Sequence, residues 1–198
     1  MKELIKHYDL LIEENNDPVL DPKPLRDYMD RWDGALFLQK MELSATKRVL
    51  EIGVGTGRIA LRTVPHCGDF CGIDLSPKTV LRAREHLIDH PNATVVCGDF
   101  LTYSFPEQFD VIYSTLTFLH IKEKREAIQK VAQLLKRGGI FVLSVSRDTS
   151  DWLDMGTRRL RVYPDDPTAL EKDMTDSGLA VTDRDETEFA YIITARKS

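Results

Sequence analysis

Val49-Leu50-Glu51-Ile52-Gly53-Val54-Gly55-Thr56-Gly57-Arg58 is a short apolar run that stops at three glycines and resumes as a helix from about Arg58. Such a run, bounded by a glycine turn, reads as a buried strand, Arg48 to Ile52. Glycine permits backbone angles closed to other residues and lets a ligand approach the main chain. The helix beyond Gly57 would present free N–H groups and the positive end of its dipole to an anionic ligand group. Alone, the loop is equally compatible with a plain structural turn between strand and helix.

Outward from this loop the chain alternates strands and helices. Phe70 to Ile73 is the next strand, and Ser76-Pro77 caps and opens a helix, because serine accepts an orphan N–H and proline fits the first helical turn. Val95-Val96-Cys97 and Val111 to Ser114 continue the strands. A helix carrying Ile128, Val131, Ala132 and Leu135 on one face follows, with Gly138 expected as its C-cap, and Ile140 to Val145 is a fifth strand. This order predicts an α/β fold with a doubly wound, mostly parallel sheet. Beyond it, Arg158 to Tyr163 reads as a short strand and Thr168 to Ser177 as a helix ending at Gly178. Leu179 to Thr182 and Phe189 to Ala195 are close enough in sequence to form an antiparallel pair. Before it, Leu4, Tyr8, Leu11 and Ile12 share one helical face, and Leu25, Tyr28, Met29, Trp32 and Leu36 share another. Asn15-Asn16-Asp17-Pro18 and Asp21-Pro22-Lys23-Pro24 break the chain between them. The expected organisation is one domain over 1–198: a helical cap or lid (1–44), a core (45–146), and a substrate-side insertion with the closing hairpin (147–198).

Two carboxylates sharpen the reading of the loop. Asp74 ends the second strand in Gly72-Ile73-Asp74-Leu75, where an acidic side chain can accept hydrogen bonds from ribose hydroxyls. Asp99 ends the third in Cys97-Gly98-Asp99-Phe100, where a carboxylate beside an aromatic ring can hold an adenine. Either could be a turn residue or a helix cap. Three consecutive strands ending in ligand-competent chemistry are harder to explain that way, since ligands of open α/β sheets bind outside the carboxyl ends of the strands.

Over about residues 45 to 146 the chain resembles the class I S-adenosylmethionine-dependent methyltransferases. Val49 to Gly57 is similar to that family's first motif, in which the acidic residue and the glycines surround the methionine part of the cofactor. The resemblance therefore implies cofactor contacts at Glu51, Gly53, Gly55 and Gly57, at Asp74 and Leu75 for the ribose, and at Asp99 and Phe100 for the adenine. Phe109-Asp110-Val111-Ile112-Tyr113-Ser114 resembles the fourth-strand motif and implies Ser114 near the methionine end. Leu134 to Gly139 resembles the family's Leu-Lys-Pro-Gly-Gly segment, with Arg137 in place of proline. The resemblance also implies a seven-stranded Rossmann-like sheet whose final strands form a reversed hairpin. In that family the N-terminal segment often folds over the cofactor, which places His7 and Tyr8 near the site and Tyr8 among its contacts. Tyr8 also fits an apolar stripe, so core or lid packing is the favoured duty. The glycine spacing separates this reading from an NAD-dependent oxidoreductase, because a dinucleotide fingerprint wants glycine where Arg58 stands.

Transfer from a sulfonium needs an in-line nucleophile more than an acid, so holding the partners in near-attack geometry can supply much of the catalysis. A base helps only where the acceptor must lose a proton. His120, in Leu116-Thr117-Phe118-Leu119-His120-Ile121, is the candidate general base, with packing at a helix start as its alternative. Arg158, Arg159 and Arg161 could bind an anionic acceptor group or could pair with Asp165 and Asp166 on the surface. Cys67, Cys71 and Cys97 lack the spacing of a zinc site and read as small buried hydrophobes, so no metal is expected. The net charge of −5 gives no footprint for a nucleic-acid backbone, and no segment reads as a signal peptide or membrane span. The expectation is a cytoplasmic enzyme with a small-molecule methyl acceptor and a pocket walled by residues 1–40 and 147–165. A non-catalytic cofactor-binding module is the alternative.

Overall fold

The computed structural model of the chain describes residues 1–154, 156 and 158–198. Strands β1 (Arg48–Ile52), β2 (Asp69–Asp74), β3 (Ala93–Cys97), β4 (Phe109–Thr115) and β5 (Leu135–Ser146) pair in parallel. Strand β9 (Ala190–Lys197) runs antiparallel to β5, and β8 (Leu179–Glu186) antiparallel to β9, giving a seven-stranded sheet of order β3-β2-β1-β4-β5-β9-β8. Short strands β6 (Trp152–Asp154) and β7 (Arg159–Arg161) form a separate antiparallel pair.

Both faces of the central strands are covered, which is why they are apolar along their length rather than alternating. On one face Val49, Val111, Tyr113 and Val142 pack with Phe37 and Met41, with Ala60 of α4 (Ala60–Thr63), and with Val80 and Ala83 of α5 (Pro77–His86). On the other, Leu50, Ile112, Phe141 and Ile193 pack against Ala127, Ile128 and Val131 of α6 (Lys124–Leu134) and Leu170 and Met174 of α7 (Pro167–Asp176). Successive side chains of a strand point to opposite faces, so each strand feeds both cores. Strand β1 has β2 on one side and β4 on the other. The chain winds outward to β3 and then crosses back, and the crevice between the loops after β1 and β4 is the ligand position of such a sheet.

The first forty residues carry α1 (Lys2–Glu13), α2 (Lys23–Met29) and α3 (Gly34–Lys40). The single second helix expected from the stripe Leu25 to Leu36 is thus two. Asp33 accepts from the N–H of Gly34 at 2.7 Å, and Gly34 adopts φ +58, a left-handed turn that ends one helix before the next starts. Gly138 is not a C-cap: α6 ends at Leu134, and Leu135 already has extended backbone as the first residue of β5. Gly138, at φ +74, instead bends β5 where its register against β4 shifts. The helix expected from about Arg58 is one turn of α-helix followed by a 3-10 turn, Val64–His66, because Pro65 cannot extend it. Cys67 is buried as expected, whereas Cys71 is half-buried and Cys97 exposed. Among the described residues no helix is long and apolar enough to cross a membrane.

Candidate functional site

A cavity of about 290 Å³ opens at the carboxyl edge of the sheet. Its floor comes from the ends of four adjacent strands: Glu51, Ile52, Gly53 and Gly55 after β1, Asp74 and Leu75 after β2, Asp99 and Phe100 after β3, and Thr115 to Thr117 after β4. Two of the loop glycines are demanded for different reasons. Gly53 has φ +75, and a Cβ there would lie 2.0 Å from the hydroxyl oxygen of Thr117, so the loops after β1 and β4 can touch only through glycine. Gly55 has φ +55 with nothing within 4 Å of a built Cβ, so its bare backbone faces open space. That is a cradle for a close-lying ligand.

Asp74 is fixed by two backbone donors: Oδ2 accepts from Gly55 N at 3.0 Å and Oδ1 from Ser76 N at 3.0 Å. Burial raises its carboxyl above the ordinary range, against the opposing effect of these bonds. Asp99 closes an Asx turn, its Oδ1 accepting from Leu101 N at 2.9 Å, while Phe100 is 5% exposed and anchored in the core. Two expected residues stand off the cavity wall. Ser114 is fully buried and donates its hydroxyl to the carbonyl of Ile52 at 2.9 Å, because it pairs with Ile52 within the sheet, one residue short of the end of β4 at Thr115. Gly57, at φ +102, closes the turn by donating to Val54 O at 3.0 Å.

Helix α1 roofs the cavity with Leu4, Ile5 and Tyr8, and Pro18 and Met29 extend that wall. It is held by an acidic ladder, Asp9, Glu13 and Asp17, facing a basic one on α5. Asp9 Oδ1 accepts from Ser76 Oγ at 2.7 Å and from Lys78 N at 3.1 Å, and Glu13 pairs with Lys78. Asp17 accepts from Arg82 at 3.0 Å and from His86 Nε2 at 2.8 Å. Four-residue spacing puts Lys78, Arg82 and His86 on one line of α5 and Asp9 and Glu13 on one line of α1, whereas Asp17 lies past the end of α1; the spacing is present in the sequence and overlooked there. The second bridge is Tyr8 to His120, hydroxyl to Nε2, at 2.6 Å. Burial, then the charges of His7 and Lys124, push His120 down to about 4, and burial pushes the Tyr8 phenol above its usual range. The imidazole is therefore neutral near pH 7, and the phenol supplies the shared proton. His120 Nδ1 is buried and has no partner among the described residues.

The site also holds a pair that sequence reasoning missed. Asp33 receives both terminal nitrogens of Arg58, at 3.0 and 2.6 Å, together with the Thr115 hydroxyl at 2.7 Å and the N–H of Gly34. It locks the start of α3 to the glycine loop and the end of β4. The expected wall from residues 147–165 is absent among the described residues, since none of them lines the cavity. That segment braces the walls instead. Tyr163 N donates to Leu119 O at 2.7 Å, and Lys124 Nζ ties Phe118 O to Tyr163 O and Asp165. Arg158 grips Glu14 with both terminal nitrogens, and Arg159 lies over Trp152 near Asp154. Neither arginine pairs with Asp165 or Asp166, because Asp165 serves Lys124 and Asp166 caps α7.

A methyltransferase-domain family profile matches residues 49–139, the span from β1 into β5. An uncharacterized methyltransferase of Anoxybacillus flavithermus is 31% identical over 188 residues, covering 86% of this chain and 87% of that relative. The chain belongs to the S-adenosylmethionine-dependent methyltransferases. The S-adenosylmethionine-dependent methyltransferase from Mesorhizobium loti superposes with TM-score 0.69 at 20% identity, over 81% of this chain and 95% of its own. The [4+2]-cyclase SpnF superposes with TM-score 0.77 at 18% identity, over 98% and 95%. At such identities these two speak for the fold alone, and SpnF carries a different chemistry on it. S-adenosylmethionine is the methyltransferase's cofactor. The site's donor set suits that ligand: bare backbone at Gly55 and carboxylates at Glu51, Asp74 and Asp99, all on one cavity.

Proposed function

We propose that this methyltransferase acts in the cytoplasm on a small-molecule acceptor, and that cofactor and acceptor share the cavity beneath α1. The observation that carries the reading is the convergence of Glu51, Gly53, Gly55, Asp74, Leu75, Asp99 and Phe100 on one cavity, roofed by Tyr8. In this reading Asp74 accepts from the ribose hydroxyls, Asp99 and Phe100 hold the adenine, and Glu51 with the loop backbone takes the methionine end. Gly57 and Ser114 act indirectly, by shaping the turn and the end of β4. Residues 1–198 form one domain, with 1–44 as cap, 45–146 as core, and 147–198 as brace and hairpin.

The cofactor, when bound, supplies an already activated methyl group. The protein's own task is then to orient an acceptor and exclude water, which α1 does with an apolar face. Where the acceptor must shed a proton, the Tyr8–His120 pair is the group to take it, since His120 is the only imidazole among the lining residues. An imidazole held at about 4 is a weak base, so an acceptor with a free lone pair at neutral pH suits the site best. The net charge of −5 and the roofed cavity favour a small acceptor over a nucleic acid.

Calorimetry with S-adenosylmethionine, S-adenosylhomocysteine and NAD tests the cofactor assignment. Both S-adenosyl ligands should bind and NAD should not, and the reverse pattern would overturn it. Labelled cofactor incubated with cell extract tests the acceptor: label should enter the small-molecule fraction, and label confined to nucleic acid would refute that class.

A further inference from the structure

Two buried carboxyl groups stand at the head of the glycine loop and are served very unequally. Asp33 has four donors, two of them from the Arg58 guanidinium. Glu51, 1% exposed, has one donor among the described residues, the neutral Tyr113 hydroxyl at 2.8 Å from Oε2. Its nearest cation, Arg58, turns both terminal nitrogens to Asp33 and has Asp30 at 3.7 Å as well. The other charges facing Glu51 are Asp33, ahead of α3, and Asp74, at the end of β2, both of which oppose ionisation. A buried carboxylate so poorly compensated is costly, and taking up a proton removes the cost.

We propose that Glu51 holds a proton while the cofactor is absent and releases it to solvent when the cofactor's ammonium arrives, with Tyr113 as the positioning residue that accommodates both states. This rests on the cofactor reading of the site. The exchange balances: a neutral carboxyl meets an ammonium, an ion pair forms, and one proton leaves to the buffer. Tyr113 is fully buried, packed edge-on to Phe37 at 5.8 Å, with Thr63 Oγ1 3.1 Å from its hydroxyl and Thr63 donating in turn to Ile59 O. Its hydroxyl can accept from protonated Glu51 while turning to Thr63, or donate to ionised Glu51, and no heavy atom moves. Burial drives Glu51 well above the usual carboxylate range and Tyr113 above the usual phenol range, in keeping with this network.

The test is calorimetric titration at mildly acidic pH in two buffers of different protonation heat, with two probes. S-adenosylhomocysteine carries the ammonium, and 5′-methylthioadenosine lacks it. Wild-type protein should release about one proton with the first probe and none with the second. Glu51→Gln should bind S-adenosylhomocysteine without release. Tyr113→Phe should release less and bind about fivefold more weakly, the worth of one neutral hydrogen bond. Should Glu51→Gln fail to fold, carboxyl-carbon NMR of glutamate-labelled wild type reads the same proton directly, and a Glu51 signal already ionised without ligand overturns the inference. Binding of S-adenosylhomocysteine with no proton release, or equal release by both probes, also overturns it. If neither probe binds, the cofactor reading itself falls, and this inference with it.

Discussion

Asp33→Asn is the sharpest structural perturbation available, because the change preserves volume and removes only charge. In the native protein Oδ1 serves Gly34 N and one Arg58 nitrogen, and Oδ2 serves the other Arg58 nitrogen and the Thr115 hydroxyl. An amide has one oxygen, so in either orientation its NH₂ faces a guanidinium donor. Asp33 is fully buried and the Arg58 side chain is 16% exposed, so the orphaned cation keeps little water. Breaking a buried pair by removing one partner costs about 3–5 kcal/mol, and the lower end, about 3 kcal/mol, applies because Asp30 remains near Arg58. For a chain of this size that is a drop in Tm of about 6–12 °C, measured by circular dichroism. Adding Arg58→Met to Asp33→Asn should recover part of the loss, since the unpaired charge disappears. A single variant within about 2 °C of wild type would refute the claim that this pair fastens α3 to the loop.

Asp74→Ala should weaken S-adenosylhomocysteine binding by about 2–5 kcal/mol, at least thirtyfold, through lost ribose hydrogen bonds to a charged acceptor; unchanged affinity in a folded variant would remove Asp74 from the site. Amide-exchange protection across residues 1–20 should rise when the cofactor product is added, and equal protection with and without it would make α1 a fixed wall. The pH dependence of stability should carry a His120 signature. Its folded value of about 4 lies below the ordinary 6.5, so the unfolded chain takes the proton first as pH falls. The stability is therefore full above about pH 6.5 and is lost as pH falls toward 4. His120→Gln, which can still accept from Tyr8, should have a flatter Tm curve across that window, and superimposable curves would contradict the buried neutral imidazole.

Most of the parallel sheet is legible from local pattern, because β1 to β5 each contain a short apolar run, and β1, β2 and β3 end at glycine or aspartate. The cavity carboxylates are legible for the same reason: Asp74 and Asp99 sit where their strands end. What escapes is chemistry made by contacts distant in sequence. Nothing near Asp33 announces Arg58, and nothing near Arg158 announces Glu14, so the partners read for Arg158, Asp165 and Asp166, are the wrong ones. The split between α2 and α3 was signalled by Asp33-Gly34, but the apolar stripe running through both segments masked it. The resemblance names the fourth strand, but which of its residues reach the cavity depends on register: Ser114 pairs with Ile52 inside the sheet and bonds its carbonyl. His120 was found by position, yet its basicity depends on burial and on two cations elsewhere in the chain.

The aromatic knot at the foot of the hairpin bears on the order of folding. Phe189, in the turn joining β8 to β9, packs on Trp32 at 4.5 Å and on Tyr28 at 5.5 Å, and the Thr187 hydroxyl donates to Trp32 O at 3.1 Å. Helices α2 and α3 have seven residues each, too short to persist alone. Beyond the Asp33–Arg58 pair, part of their clasp comes from residues more than 150 positions downstream, so that part consolidates only after the costly closure of that long loop. A chain arrested before residue 187 would have the glycine loop and its carboxylates but no aromatic clasp on α2, whose Met29 lines the cavity. Completing the hairpin then also settles that side of the pocket.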